Sequence, residues 1–157
     1  MRRMRKKIII VDDNASYLSV VRVLLKPYYE VFPAPSAAKL FQIIEKFIPD
    51  LILLDVNMPE MSGYEAITVL RENPRYKDIP VVFLTAKDDE ASAVKGLDLG
   101  AADYVTKPFT GPLLLKRISN ILIIEHQKRE LQTCSVTIAD LRDKLEHHEK
   151  NSINQAL

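Results

Sequence analysis

The chain is short of several things that would open particular functions. It holds one cysteine, Cys134, in 157 residues. That excludes an intramolecular disulfide and a cysteine-based zinc site, and it fits a reducing, cytoplasmic setting. It has no excess of either charge. Lys and Arg number 22 against 21 Asp and Glu, a net of +1, so the balance gives no reason to expect direct nucleic-acid binding. No apolar run is long enough to span a bilayer. The start is basic in MRRMRKK but apolar only from Ile8 to Val11, which suits a strand better than a signal peptide. Residues 1–6 read as a solvated basic tail.

What is present is 47% hydrophobic residues, enough for a full core, arranged with two alternating periods. KIIIV (7–11) is a β-branched run. Leu18, Val21, Leu24 and Leu25 follow at helical spacing until Pro27. YYEVF (28–32) reads as a second strand, and Ser36 as the N-cap of a helix carrying Leu40, Ile43, Ile44 and Phe47. LILL (51–54) is a third strand, apolar on both faces. Ser62 and Glu65, three apart, predict a capping box that opens the next helix. Pro80 and VVFL (81–84) give a fourth strand, Asp88 or Asp89 a cap for a helix ending near Gly100, and DYV (103–105) a short fifth strand. A long helical pattern begins near Pro112. Strands alternating with helices predict an α/β fold, an open doubly wound parallel sheet. In such sheets function sits at the carboxyl ends of the strands.

Those ends carry chemistry. The first strand is followed by Asp12 and Asp13, the third by Asp55, the fourth by Thr85 and Ala86, and the fifth by Lys107 and Pro108. Each residue alone has an ordinary reading. A single Asp after a strand is a turn former or a cap, and a lone Thr or Lys is a surface residue. Placed together, three carboxylates repel one another unless something neutralises them. Oxygen ligands in that number suit a hard divalent cation, Mg²⁺ first. Asp55 is then a candidate nucleophile towards phosphorus, with Thr85 and Lys107 available to a phosphoryl group.

VDDN (11–14), LLDVNMPEMSGYE (53–65), PVVFLTA (80–86) and GAADYVTKPF (100–109) resemble, in order and spacing, the receiver domain of two-component response regulators. The resemblance covers residues 7–124 and implies a flavodoxin-like five-stranded sheet in the order 2-1-3-4-5. It implies Asp55 as phosphoacceptor, charged from a histidine kinase or phosphotransfer protein. It implies Asp12, Asp13, Asp55 and the main-chain carbonyl of Asn57 as the Mg²⁺ site, with Asp13 the more direct ligand. Thr85 and Tyr104 are the implied switch pair, Lys107 the phosphate-binding lysine, and Lys107–Pro108 a cis bond. The chemistry implied is self-phosphorylation and autodephosphorylation, serving a signalling module rather than a metabolic enzyme. Lys87, near the implied site mouth, reads as a solvated lysine.

Beyond residue 124 the chain departs from a minimal receiver. Ile124, Leu131, Cys134, Ile138, Leu141 and Leu145 fall on one heptad seam, with Gln127 a polar break. Residues 125–157 therefore read as a helical extension forming a coiled coil, and the chain as a homodimer through it. One amphipathic helix folded back on the receiver is the alternative. Glu146, His147, His148 and Glu149 point different ways on a helix and read as a solvated end. No output domain is visible, so a downstream domain or protein is expected elsewhere. A haloacid-dehalogenase-type phosphatase would need a second Asp two residues after the nucleophile, where Asn57 stands. A flavodoxin-like binding module would need a phosphate loop rich in Ser, Thr and Gly where DDNAS stands. A phosphorylation-independent dimerisation scaffold would have no use for the acid, Thr and Lys set.

Overall fold

The structure is a computed structural model that describes residues 3–86 and 90–156. Lys87 and the expected caps Asp88 and Asp89 lie outside the described residues. Five strands alternate with five helices: β1 (Lys7–Val11), α1 (Ala15–Leu25), β2 (Glu30–Ala34), α2 (Ala37–Lys46), β3 (Leu51–Asp55), α3 (Gly63–Glu72), β4 (Val81–Ala86), α4 (Glu90–Asp98), β5 (Asp103–Lys107) and α5 (Gly111–Gln155). All pairings are parallel, in the order β2-β1-β3-β4-β5. This is the open doubly wound sheet that the alternation predicts, in the flavodoxin-like strand order that the resemblance implies.

The sheet separates two apolar layers. Ile9, Ile52, Leu54, Val81 and Phe83 face α2 and α3 through Leu40, Ile44, Ala66, Ile67 and Leu70. Ile8, Ile10, Leu53, Val82 and Leu84 face α1 and the start of α5 through Leu18, Val21, Leu25, Leu114 and Ile118. Because successive side chains of a strand point to opposite faces, the unbroken run in β3 serves both layers, and all five of its residues are buried. Ser36 and Ser62 cap α2 and α3, the latter in a full capping box with Glu65.

The second strand differs from the sequence reading of 28–32. Tyr28 and Tyr29 instead form the turn after α1, each donating its backbone N–H to the Leu25 carbonyl at 3.0 Å. The strand runs on through Pro33 to Ala34. Pro33 is tolerable because β2 is an edge strand. Glu30 N–H and Ala34 C=O bond towards β1, so by alternation Pro33, which has no N–H, faces the open edge. The fifth strand extends two residues beyond the DYV reading and includes Lys107.

The chain divides into two units, residues 1–122 and 123–157. Among the described residues the second is helical as far as Gln155, and every side chain but the half-buried Glu125 is exposed. Leu131, Ile138, Leu141 and Leu145 are between 50% and 68% exposed. No helix among the described residues is long and apolar enough to cross a membrane.

Candidate functional site

Val11 of β1 lies opposite Leu54 of β3. One residue further on, Asp12 and Asp55 therefore come level at the carboxyl edge of the sheet. One oxygen from each of Asp12, Asp13 and Asp55 lies within 4.8 Å of the others. Asp12 and Asp55 are buried and Asp13 is exposed, so the cluster has a floor and an open rim. Lys107 reaches in from β5, with Nζ 2.6 Å from Asp12 Oδ2 and 3.4 Å from Asp55 Oδ1. The Lys107–Pro108 bond that follows is cis, as the resemblance implies.

The loop after β1 is held by its own side chains. Asp12 Oδ1 accepts the Asn14 backbone N–H at 2.9 Å. Asn14 Oδ1 in turn accepts from Tyr17 N, capping α1. The Tyr17 ring lies under the lysine, its centroid 4.2 Å from Lys107 Nζ, and packs edge-on against Phe109. Sequence reasoning did not pick out Asn14 or Tyr17. The signal was their position in the first turn after Asp13, where a cap and an aromatic can both face the acids.

On the other side, α3 begins hard against the end of β3. A Cβ added to Gly63 would stand 2.3 Å from the Asp55 carbonyl oxygen. Gly63 N–H donates to the Val56 carbonyl at 2.9 Å. A glycine is needed here for close backbone approach. It folds the loop back tightly, so the Asp55 side chain sits at the strand tip. Asn57 lies in this loop and is exposed.

One ammonium does not neutralise three carboxylates. The Asp55 carboxyl is pushed up to about 6, first by burial and then by the charge on Asp12, while Lys107 pulls the other way without cancelling them. Lys107 is held above its ordinary value. Burial acts to lower it, but the hydrogen bond to Asp12 and the charges of Asp55 and Asp12 together outweigh that. An oxygen-only donor set with surplus negative charge fits a hard cation of the Mg²⁺ type.

Thr85 is buried in β4, and Leu84 beside it is the register partner of Asp55. Its Oγ1 is the single buried side-chain polar atom among the described residues with no hydrogen-bond partner. A buried hydroxyl without a partner costs about 1–3 kcal/mol. Tyr104 shares its face of the sheet, two residues before Thr106, which pairs with Thr85. It stands outward, 36% exposed, and is not drawn into the acid cluster.

The family model for the response regulator receiver domain matches residues 8–119. The chain belongs to this receiver family. A probable cyclic di-GMP phosphodiesterase of Vibrio cholerae is 42% identical over 111 residues, 71% of this chain and 25% of that protein. The phosphate regulon transcriptional regulatory protein PhoB of Pseudomonas aeruginosa is 39% identical over 118 residues, 74% of this chain and 52% of that one. Among solved structures, the chemotaxis protein CheY4 of Vibrio cholerae superposes with a TM-score of 0.70 at 32% identity, covering 76% of this chain and 99% of its own. The receiver thus spans between a quarter and about half of these two curated relatives. It is a module of two-component signalling, and receivers bind Mg²⁺ at an acidic pocket of this kind.

Proposed function

We propose that the chain is the phosphoacceptor of a two-component phosphorelay and that Asp55 is the residue modified. The observation that carries this reading is the unused hydroxyl of Thr85 next to the acid cluster. A buried donor lacks an acceptor there, and a phosphoryl group on Asp55 would supply one.

The donor is a phosphohistidine of a kinase or phosphotransfer protein. A carboxylate oxygen of Asp55 attacks phosphorus. The P–N bond breaks, its electron pair stays with the imidazole, which takes up a proton from solvent, and an acyl phosphate forms. Water later attacks the phosphorus, the bond to the Asp55 oxygen breaks, and inorganic phosphate leaves. Asp12, Asp13, Asp55 and the Asn57 carbonyl would hold Mg²⁺, which when bound supplies positive charge against the transferring group. Lys107, already 3.4 Å from Asp55, pairs with a phosphoryl oxygen. Thr85 donates to another.

The modification adds about −1.5 to −2 charge at Asp55. Thr85 moves to meet it, Tyr104 turns inward from its exposed position, and the face built by α4, β5 and the start of α5 changes. That face is the reading surface for a protein partner or a second copy. Residues 125–157 pair as a parallel coiled coil, because Ile124, Leu131, Ile138, Leu141 and Leu145 form an exposed seam at heptad spacing. The setting is cytoplasmic, and residues 1–6 are a basic tail before the receiver at 7–124.

The test is labelling by radiolabelled acetyl phosphate with Mg²⁺. The unaltered protein is expected to label, and Asp55→Asn to lose the label. Thr85→Ala is expected to slow labelling by about 100-fold, the loss typical of one donor to a transferring group. Undiminished labelling of Asp55→Asn would sink the assignment. Light scattering with and without beryllofluoride reads whether assembly follows phosphorylation.

A further inference from the structure

At the amino ends of the strands, about 15 Å from the acid cluster at five residues per strand, the molecule has the opposite character. A cleft of about 830 Å³ opens between the segment before β1, the end of α1 and the start of β2. Six cations line it: Arg3, Arg5, Lys6, Lys7, Arg22 and Lys26. Among the described residues only two carboxylates do, Glu30 and Asp50. Six minus two leaves a local surplus of four in a chain whose total is +1.

Little of that surplus is used within the protein. Asp50 is engaged, accepting from the Lys7 backbone N–H at 2.8 Å and pairing with Lys6 at 3.6 Å. Arg5 donates to the Lys26 carbonyl at 3.0 Å, which pins the leading segment to α1 and offsets a carbonyl at the helix end. Among the described residues, no carboxylate lies within ion-pair reach of Arg3, Arg22 or Lys26. Arg22 and Lys26 stand one helical turn apart and are both exposed. Like charges at this spacing on a helix repel at a small cost, which a bound anion would relieve. The wall between the charges is apolar, from the half-buried Tyr29 and Val31, with Met4 exposed at the rim.

We propose that this cleft is a binding site for a small polyphosphate-bearing anion of the nucleotide class. Its volume lies within the range of small-ligand sites. Its concavity suits a compact anion better than a duplex or a lipid surface, which extended strips of basic residues follow. Guanidinium groups take phosphate oxygens in bidentate pairs, and the apolar wall suits an attached ring. The site is remote from Asp55 and does not depend on the phosphoacceptor reading.

The experiment is calorimetric titration of the full chain at low ionic strength, with EDTA present so that no metal carries phosphate to the acid cluster. ATP and inorganic triphosphate are the two probes. Saturable binding is expected, weakened at least about tenfold in Arg22→Gln/Lys26→Gln, tightened in Glu30→Gln, and unchanged in Asp13→Asn. Equal affinity for the two probes would assign recognition to the phosphates alone, whereas tighter ATP binding would bring in the apolar wall. Both outcomes support the site. Absence of binding at millimolar probe, or binding indifferent to Arg22→Gln/Lys26→Gln in a variant with unchanged circular dichroism and melting, would overturn it. Displacement of ATP by a far lower concentration of single-stranded oligonucleotide would overturn it too, in favour of a nucleic-acid surface.

Discussion

The receiver and the helical extension use apolar residues in opposite ways. In the receiver, Ile8, Ile9, Ile10 and Leu51 through Leu54 are fully buried, each contributing about 1.5–3 kcal/mol. In the extension, Leu131 and Leu145 are more than 60% exposed, and an isolated helix gains little from propensity alone. One region buries its apolar residues within a single chain, and among the described residues Thr85 Oγ1 is its one buried side-chain polar atom without a partner. The other has its regular spacing but not its burial. The difference teaches that the site and the seam are built from different residues, so each should be removable without the other.

The largest effect should come from the seam. Ile138→Asp/Leu145→Asp places two charges one heptad apart on the seam of each helix and should convert a dimer to a monomer by light scattering, weakening association at least about 100-fold. Labelling of Asp55 should stay within about twofold. A matching loss of labelling would break the separation of the two regions. Next in size is Gly63→Ala. Its Cβ would meet backbone rather than a yielding side chain, so unfolding in urea should show a loss of about 2–4 kcal/mol, with slower labelling and an unaltered dimer.

A smaller effect follows from Asp55 itself. Its folded value of about 6 is raised above the ordinary 3.8, so the folded state holds the proton more tightly than the unfolded chain. The stability this lends is complete below about pH 4 and fades as pH rises through about 6. In EDTA at pH 7, Asp55→Asn should therefore be more stable than the unaltered protein by on the order of 2 kcal/mol. The advantage should vanish near pH 4 in the same denaturation series. The smallest effect is at Cys134, an exposed thiol on the seam. A parallel, in-register pair sets two such thiols face to face, so mild oxidation should give a covalent dimer that Cys134→Ser does not form. An antiparallel pair should give none.

Much of the fold and site was legible because the sequence writes it locally. LILL needs two buried faces, Ser62 and Glu65 announce their own cap, and acids placed at strand tips converge in any sheet wound this way. What escaped was set by a helix end that propensity does not locate and by contacts distant in sequence. Tyr28 and Tyr29 look like strand residues by propensity, and only the helix end at Leu25 claims them for a turn. Pro33 argues against a strand until the sheet order puts it at an edge. The pairing of Lys107 with Asp12, closer than with Asp55, depends on where β5 brings the ammonium across the sheet. Tyr17 beneath it belongs to the same tertiary placement. The seam was legible as spacing, and among the described residues its apolar side chains are exposed; what covers them is the part that the light-scattering test reads.

Pro33 carries a consequence for polymerisation. A fibril that grows by adding strands needs an unbroken row of donors and acceptors at the growing edge. At the β2 edge that row is interrupted at Pro33, the last but one residue of the strand, so an incoming strand would lose a rung there. Sheet-to-sheet growth is thereby discouraged on this side even when the protein is crowded, and association is left to surfaces of side chains, whose pairing sequence can specify and chemistry can reverse.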